Sequence, residues 1–138
     1  MTPRDTGTGE VMERMIVPAM ARGGYDFIRK VNIGLRLGLG RHIIDGLAEK
    51  DGQRILISLK WQQVPGTTEQ KVPFELISMI EALLTGDFAG AYIVLGGQNW
   101  RFKDFYLGGG LDPYIPDARR VRILALEDFV ARANQGRL

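Results

Sequence analysis

Residues 42–71 read HIIDGLAEKDGQRILISLKWQQVPGTTEQK. Two runs rich in Ile and Leu flank Asp51-Gly52, a dipeptide suited to the positive φ angles of a tight hairpin turn. The spacing predicts strands over 42–48 and 54–62, whose successive side chains point to opposite faces. Leu56, Ser58 and Lys60 then share one face of the second strand, and Ile55, Ile57 and Leu59 share the other. A two-residue turn pairs Lys50 with Gln53, and counting back sets Asp45 opposite Ser58. Opposed Cβ atoms lie about 5 Å apart and diagonal ones about 7 to 8 Å, so Asp45, Ser58 and Lys60 converge on one patch. A longer turn would slip the register and move Asp45 to the other face.

A carboxylate and an ammonium in a half-buried sheet cost free energy unless they are paired or bind something. Two accounts predict the same contact. One is an Asp45–Lys60 ion pair at a sheet end. The other is a hydrolytic site, in which the Asp holds a divalent cation and the Lys orients or deprotonates an attacking water.

Outward from this hairpin, Val11, Met12, Met15, Ile16 and Met20 recur at helical spacing, with Thr8 as N-cap; Pro18 should kink or end that helix, and Gly23-Gly24 stop it. Residues 25–34, YDFIRKVNIG, read as a strand, followed by the glycine-punctuated LRLGLGR. Thr67 and Gln70 form a capping signature before a helix through residue 84, with Pro73 in its first turns. GAYIVLGG (90–97) is a fully buried strand, VRILAL a last one and EDFVARANQG a closing helix. Between those strands a long stretch interleaves Trp100, Arg101, Phe102, Lys103, Phe105 and Tyr106, a composition suited to a DNA-contacting or dimer-forming loop, or to a plug at the core edge. A flexible N-terminus over 1–7 and one domain over 8–138 are expected, with element order α-β-β-β-α-β-β-α. An antiparallel hairpin followed by a strand-helix-strand unit implies a mixed sheet with helices on both faces, an α/β (α+β) fold.

Cysteine is absent, which removes disulfides, thiolate metal sites and Cys nucleophiles. His42 is the only histidine, so sites built on several histidines are excluded. Alternation puts it opposite Asp45, as packing or a DNA-backbone contact. Any hydrolysis must therefore rest on carboxylates and lysine, with or without a hard metal ion. The net charge of +2 is compatible with nucleic acid and does not demand it. No segment approaches the roughly 18 apolar residues that span a bilayer, and MTPRDTGTGE lacks an apolar signal core, so no membrane partner and a cytoplasmic location are expected.

The arrangement resembles the PD-(D/E)xK nuclease superfamily, which includes restriction endonucleases and Holliday junction resolvases. The resemblance runs from about Gly9 to Gly136. It is carried by MERMIVPAMARGGYDFIRKVNIG for the first helix and strand, RHIIDGLAE for the strand bearing the Asp, ILISLKWQ for the strand bearing the Lys, and GTTEQK for the start of the next helix. It implies a restriction endonuclease-like core, a Mg²⁺- or Mn²⁺-dependent endonuclease of duplex or branched DNA, and a homodimer. By the same likeness Asp45 and the Leu59 carbonyl would bind metal, Lys60 would serve the attacking water, and Glu13, or less readily Glu10, would stand near the metal. Ser58 departs from the pattern by standing where the family has Asp or Glu. Some members are similar in having SxK with a Glu from the next helix, and two candidates are present. Glu69 shares a helical stripe with Pro73, Leu76, Ile80 and Leu83, which favours it on direction; Glu75 better fits the longer spacing of the SxK members. Gln62 falls on the Lys60 face, and Ser58, Lys71, Arg101 and Lys103 are the substrate-contact candidates. Two alternatives to the duplex-cutting enzyme are a branched-DNA resolvase and an inactive nuclease fold that binds DNA or a protein, the latter favoured by Ser58.

Overall fold

The computed structural model describes residues 4–138 of the chain. It contains α1 (Arg4–Val11), a π-helical turn (Met12–Ile16), α2 (Val17–Arg22), β1 (Asp26–Arg36), β2 (Leu39–Lys50), β3 (Gln53–Gln62), α3 (Lys71–Thr85), β4 (Gly90–Gly97), α4 (Lys103–Leu107), a 3₁₀ turn (Ala118–Arg120), β5 (Val121–Ala125) and α5 (Leu126–Asn134). Of the residues expected to form a flexible N-terminus, 1–3 fall outside the described residues and 4–7 belong to α1. The strands form one mixed sheet in the order β1-β2-β3-β4-β5. The first three run antiparallel and the last three parallel.

Asp51 and Gly52 take φ of 53° and 78° and close the two-residue turn that pairs Lys50 with Gln53. That turn sets the alternation of β3. Leu56 joins a cluster with Val72, Leu76 and Met79 of α3 and with Ile93 and Leu95 of β4. Ile55, Ile57 and Leu59 join another on the opposite face, with Met12, Ile16, Met20, Tyr92 and Phe129. Helices cover both faces, so β3 and β4 are buried on each side and read as nearly continuous apolar runs.

Four local expectations need correction. Thr8 is not an N-cap, since α1 begins at Arg4 and Thr8 lies within it. Pro18 does not end the first helical stretch, because the turn before it is widened: Val17 N–H donates to Met12 O five residues back, and Pro18 then falls in the first turn of α2, where its missing N–H leaves no bond unmade. LRLGLGR is not a punctuated loop but the tip of a hairpin extending β1 and β2, turning at Leu37-Gly38 with φ of 53° and 77°. Thr67 and Gln70 make no side-chain cap; residues 67–70 form a separate turn and α3 starts at Lys71. Among the described residues no helix is long and apolar enough to cross a membrane.

Candidate active site

The β2–β3 ladder runs from Lys50↔Gln53 to Gly46↔Ile57 and ends there. The next pair would be Asp45↔Ser58. Instead the strands part, and Asp45 Oδ2 accepts the Leu59 backbone N–H at 2.7 Å, so the carboxylate stands in for a ladder carbonyl. On the other side of β2, Lys30 has φ of 55° and drops out of the β1–β2 pairing between Arg29↔Gly46 and Val31↔Ile44. Alternation in β2 slips at this point: Ile44 and Leu47, three residues apart, both face the α3 cluster. Gly46 leaves room here for the Phe27 ring, which a Cβ would displace.

Across the opening, α3 supplies Glu75, buried at 5% exposure and approached by side chains from β1, β2 and β3. Its Oε2 accepts from Ser58 Oγ at 2.7 Å and lies 3.6 Å from Lys60 Nζ. Its Oε1 accepts from Arg36 Nη1 at 2.8 Å and lies 3.7 Å from His42 Nε2, beyond hydrogen-bond length. Burial alone would raise the Glu75 carboxyl, but the nearby His42 imidazole, the Lys60 charge and the Ser58 and Arg36 hydrogen bonds outweigh it and hold it well below its ordinary value. Asp45 is tuned the opposite way. Burial pushes its carboxyl above the ordinary 3.8 despite the Leu59 N–H and the Lys60 charge, and the Glu75 charge pushes in the same direction as burial.

Of the two acids that might stand in at Ser58, the structure therefore brings Glu75 to the patch and uses Glu69 elsewhere. Glu69 Oε1 accepts the backbone N–H groups of Arg101 and Phe102 at 2.7 and 2.6 Å. Its own carbonyl accepts from Tyr106 Oη at 2.8 Å. Burial works to raise Glu69, yet the Phe102 N–H, the Gln62 amide and the Arg101 N–H bring it below its ordinary value. Gln62 belongs to this clamp: its Nε2 donates to Asn99 O at 2.7 Å and approaches Glu69 Oε2 at 3.4 Å. The aromatic and basic stretch expected to be irregular is thereby fastened to the start of α3, with Lys103 opening α4 and Arg101 exposed. Glu13 projects from the π-helical turn with 77% of its side chain exposed, 3.7 Å from Arg29, and Glu10 pairs with Arg14. Both lie on the surface.

A groove of about 520 Å³ runs from the end of β3 to α3, lined by Lys60, Gln62, Gln63, Thr67, Thr68 and Lys71 among others. Arg101 and Lys103 do not line it. A smaller hollow reaches Asp45 beside Lys30, and Thr8 of α1 lines both. Two participants escaped the sequence reading. His42 was assigned to the far face by simple alternation, which the slip at Asp45 invalidates. Arg36 sat in the glycine-punctuated stretch after the first strand, where only the true hairpin length would have marked it.

The donor set suits a hard divalent cation. Asp45 and Glu75 offer carboxylate oxygens, the donor type that hard cations take. Among the described residues no three of His, Cys, Asp or Glu stand close enough to enclose an ion. Solvent or a substrate phosphate must complete such a shell, as is usual for Mg²⁺.

A family model described as a PD-(D/E)XK nuclease superfamily domain matches residues 4–137. No curated protein matches the chain. Among solved structures, the chain is similar to the crystal structure of AF1548, a protein of unknown function, at 15% identity and a TM-score of 0.48 over 80% of this chain and 54% of that one. The chain thus spans about half the length of that protein.

Proposed function

Because this chain belongs to the PD-(D/E)XK nuclease superfamily, whose members generally use divalent metals, we propose that it is a Mg²⁺- or Mn²⁺-dependent DNA endonuclease built as one nuclease domain over residues 8–138. The observation that carries this reading is Glu75 held against Ser58 and Lys60, on either side of Leu59, whose backbone N–H binds the Asp45 carboxylate. Asp45, Glu75 and the Leu59 carbonyl would hold the metal, which supplies charge neutralisation at the scissile phosphate and a lowered water pKa.

The chain's own residues do the rest. Lys60, at the end of the groove, orients the attacking water and offsets charge on the phosphate oxygens. Ser58 keeps Glu75 turned toward Lys60 by donating to the same oxygen that faces the ammonium. Lys71, with Thr67 and Thr68, offers donors to the sugar-phosphate backbone along the groove. Glu69 and Gln62 have a supporting role, fixing the 99–107 segment rather than the reacting centre. Cutting both strands of a duplex needs two such sites, so a C₂ homodimer is the working assembly.

The test is cleavage of linear duplex and of a four-way junction by the wild type with Mg²⁺ or Mn²⁺, compared with Asp45→Ala and Lys60→Ala. Metal-dependent cutting lost in both variants is expected, and preference for the junction would assign the branched-DNA form of the activity. A wild type that binds DNA but cuts neither substrate with either metal, while both variants bind equally well, would overturn the enzyme reading.

A further inference from the structure

Glu75 arrives from a helix rather than from the strand that carries Lys60, so its orientation depends on what holds it from behind. The carboxylate divides its oxygens. Oε2 faces Ser58 and Lys60, and Oε1 faces Arg36 at 2.8 Å. Arg36 is the last residue of β1 and reaches α3 from the hairpin tip. The same Nη1 donates to Ser78 Oγ at 3.0 Å, and the guanidinium lies over the Phe74 ring, 5.3 Å from its centre. The neighbouring Leu37 N–H donates to Glu81 Oε1 at 2.9 Å. Phe74, Glu75, Ser78 and Glu81 thus fasten the hairpin tip along α3, and one of these four fastenings is the site's acid.

We infer that Arg36 is a positioning residue for metal binding: by fixing one oxygen of Glu75 from outside the groove, it aims the other at the space beside Asp45 and Lys60. This rests on the reading of Glu75 as a metal ligand and adds a component drawn from the β1–β2 hairpin. Two effects of Arg36 oppose each other. Its charge competes with a cation for Glu75, whereas its hydrogen bond stops the carboxylate rotating away. The charge effect is softened because Glu75 remains beside Lys60 and His42 whether or not Arg36 is present. The orienting effect has no substitute, because nothing else among the described residues donates a hydrogen bond to Oε1. Loss of an outer partner that orients a metal-binding carboxylate typically weakens metal affinity by about 10- to 100-fold. Arg36 does not line the groove.

Calorimetric titration of the full chain with Mn²⁺ alone tests this, on Arg36→Met, Arg36→Lys, Glu81→Gln and Glu75→Gln, each first checked for a cooperative thermal transition. Arg36→Met is expected to bind Mn²⁺ about tenfold more weakly, and Arg36→Lys to recover most of that loss. Glu81→Gln, which loosens the hairpin tip but leaves Arg36 in place, should match the wild type. In cleavage assays at saturating metal, Arg36→Met should lower kcat and leave KM for DNA unchanged. If Arg36→Met does not fold, Arg36→Gln replaces it with the same expectation. Wild-type or tighter Mn²⁺ affinity in that variant, with Glu75→Gln impaired, would overturn the positioning role and leave the site standing. Unchanged affinity in Glu75→Gln would overturn both.

Discussion

Asp45 and Glu75 are two carboxylates a strand apart with opposite tuning, and the difference comes from what each can accept. Glu75 has a hydroxyl donor and a guanidinium donor; Asp45 has a single backbone N–H. Sequence counting put Ser58 and Lys60 on one face, where both reach Glu75, but its pairing of Asp45 with Ser58 fails because the ladder ends at Gly46↔Ile57 and Asp45 accepts the Leu59 N–H instead. It did not separate Glu69 from Glu75. A carboxylate's direction on a helix stripe is legible, but the N–H groups that capture Glu69 belong to Arg101 and Phe102, more than thirty residues away, and no local pattern announces them. This distinction is measurable. Glu69→Ala should destabilise the fold by about 2 kcal/mol, since two backbone donors and a buried amide lose their acceptor. Protein that remains folded should retain metal-dependent cleavage, as judged by denaturant titration alongside a cleavage assay. Lys60→Met should do the reverse, keeping the denaturation midpoint while lowering the cleavage rate by about 10² or more.

At the scale of elements, β2 and β3 form the site because their ladder fails at one place. A continuous ladder would have paired Asp45 with Ser58 and given the Asp45 carboxylate no backbone donor. The failure is coupled to the positive φ of Lys30 and the slip between Ile44 and Leu47, neither of which period-2 reasoning anticipates. The same slip turned His42 into the wall of the site. The turn at Asp51-Gly52 was readable because its dipeptide states its geometry; the tip at Leu37-Gly38 was not, because a leucine with positive φ is uncommon there. Gly52→Val should cost roughly 1 to 2 kcal/mol through its left-handed backbone alone. Because β3 carries Lys60, any change of register it causes would also lower cleavage. Comparing melting temperature with rate per folded molecule separates the two effects.

For the whole molecule, pH links the site to stability. Glu75 and Glu69 have folded values below their ordinary 4.5, so the stability they contribute is complete above that pH and is lost as pH falls through and below it. Asp45 is raised above 3.8, so its ionisation costs stability in the folded state, and protonating it on acidification returns part of the loss. The melting temperature should hold steady from neutral pH toward 4.5 and then decline, and Glu75→Gln should flatten that decline. The order of strands and helices, the two-faced core and the shared face of Ser58 and Lys60 on β3 were legible in the sequence. The clamps that join distant segments, Arg36 to α3 and Glu69 to the 99–107 segment, were not, because they are set by where the chain returns. The measurement that bears most directly on the whole account is Mg²⁺-dependent cleavage of DNA by Glu75→Gln beside the wild type. The account predicts a loss of about 10² or more in a protein that melts normally. A Glu75→Gln protein that cuts at the wild-type rate would contradict it.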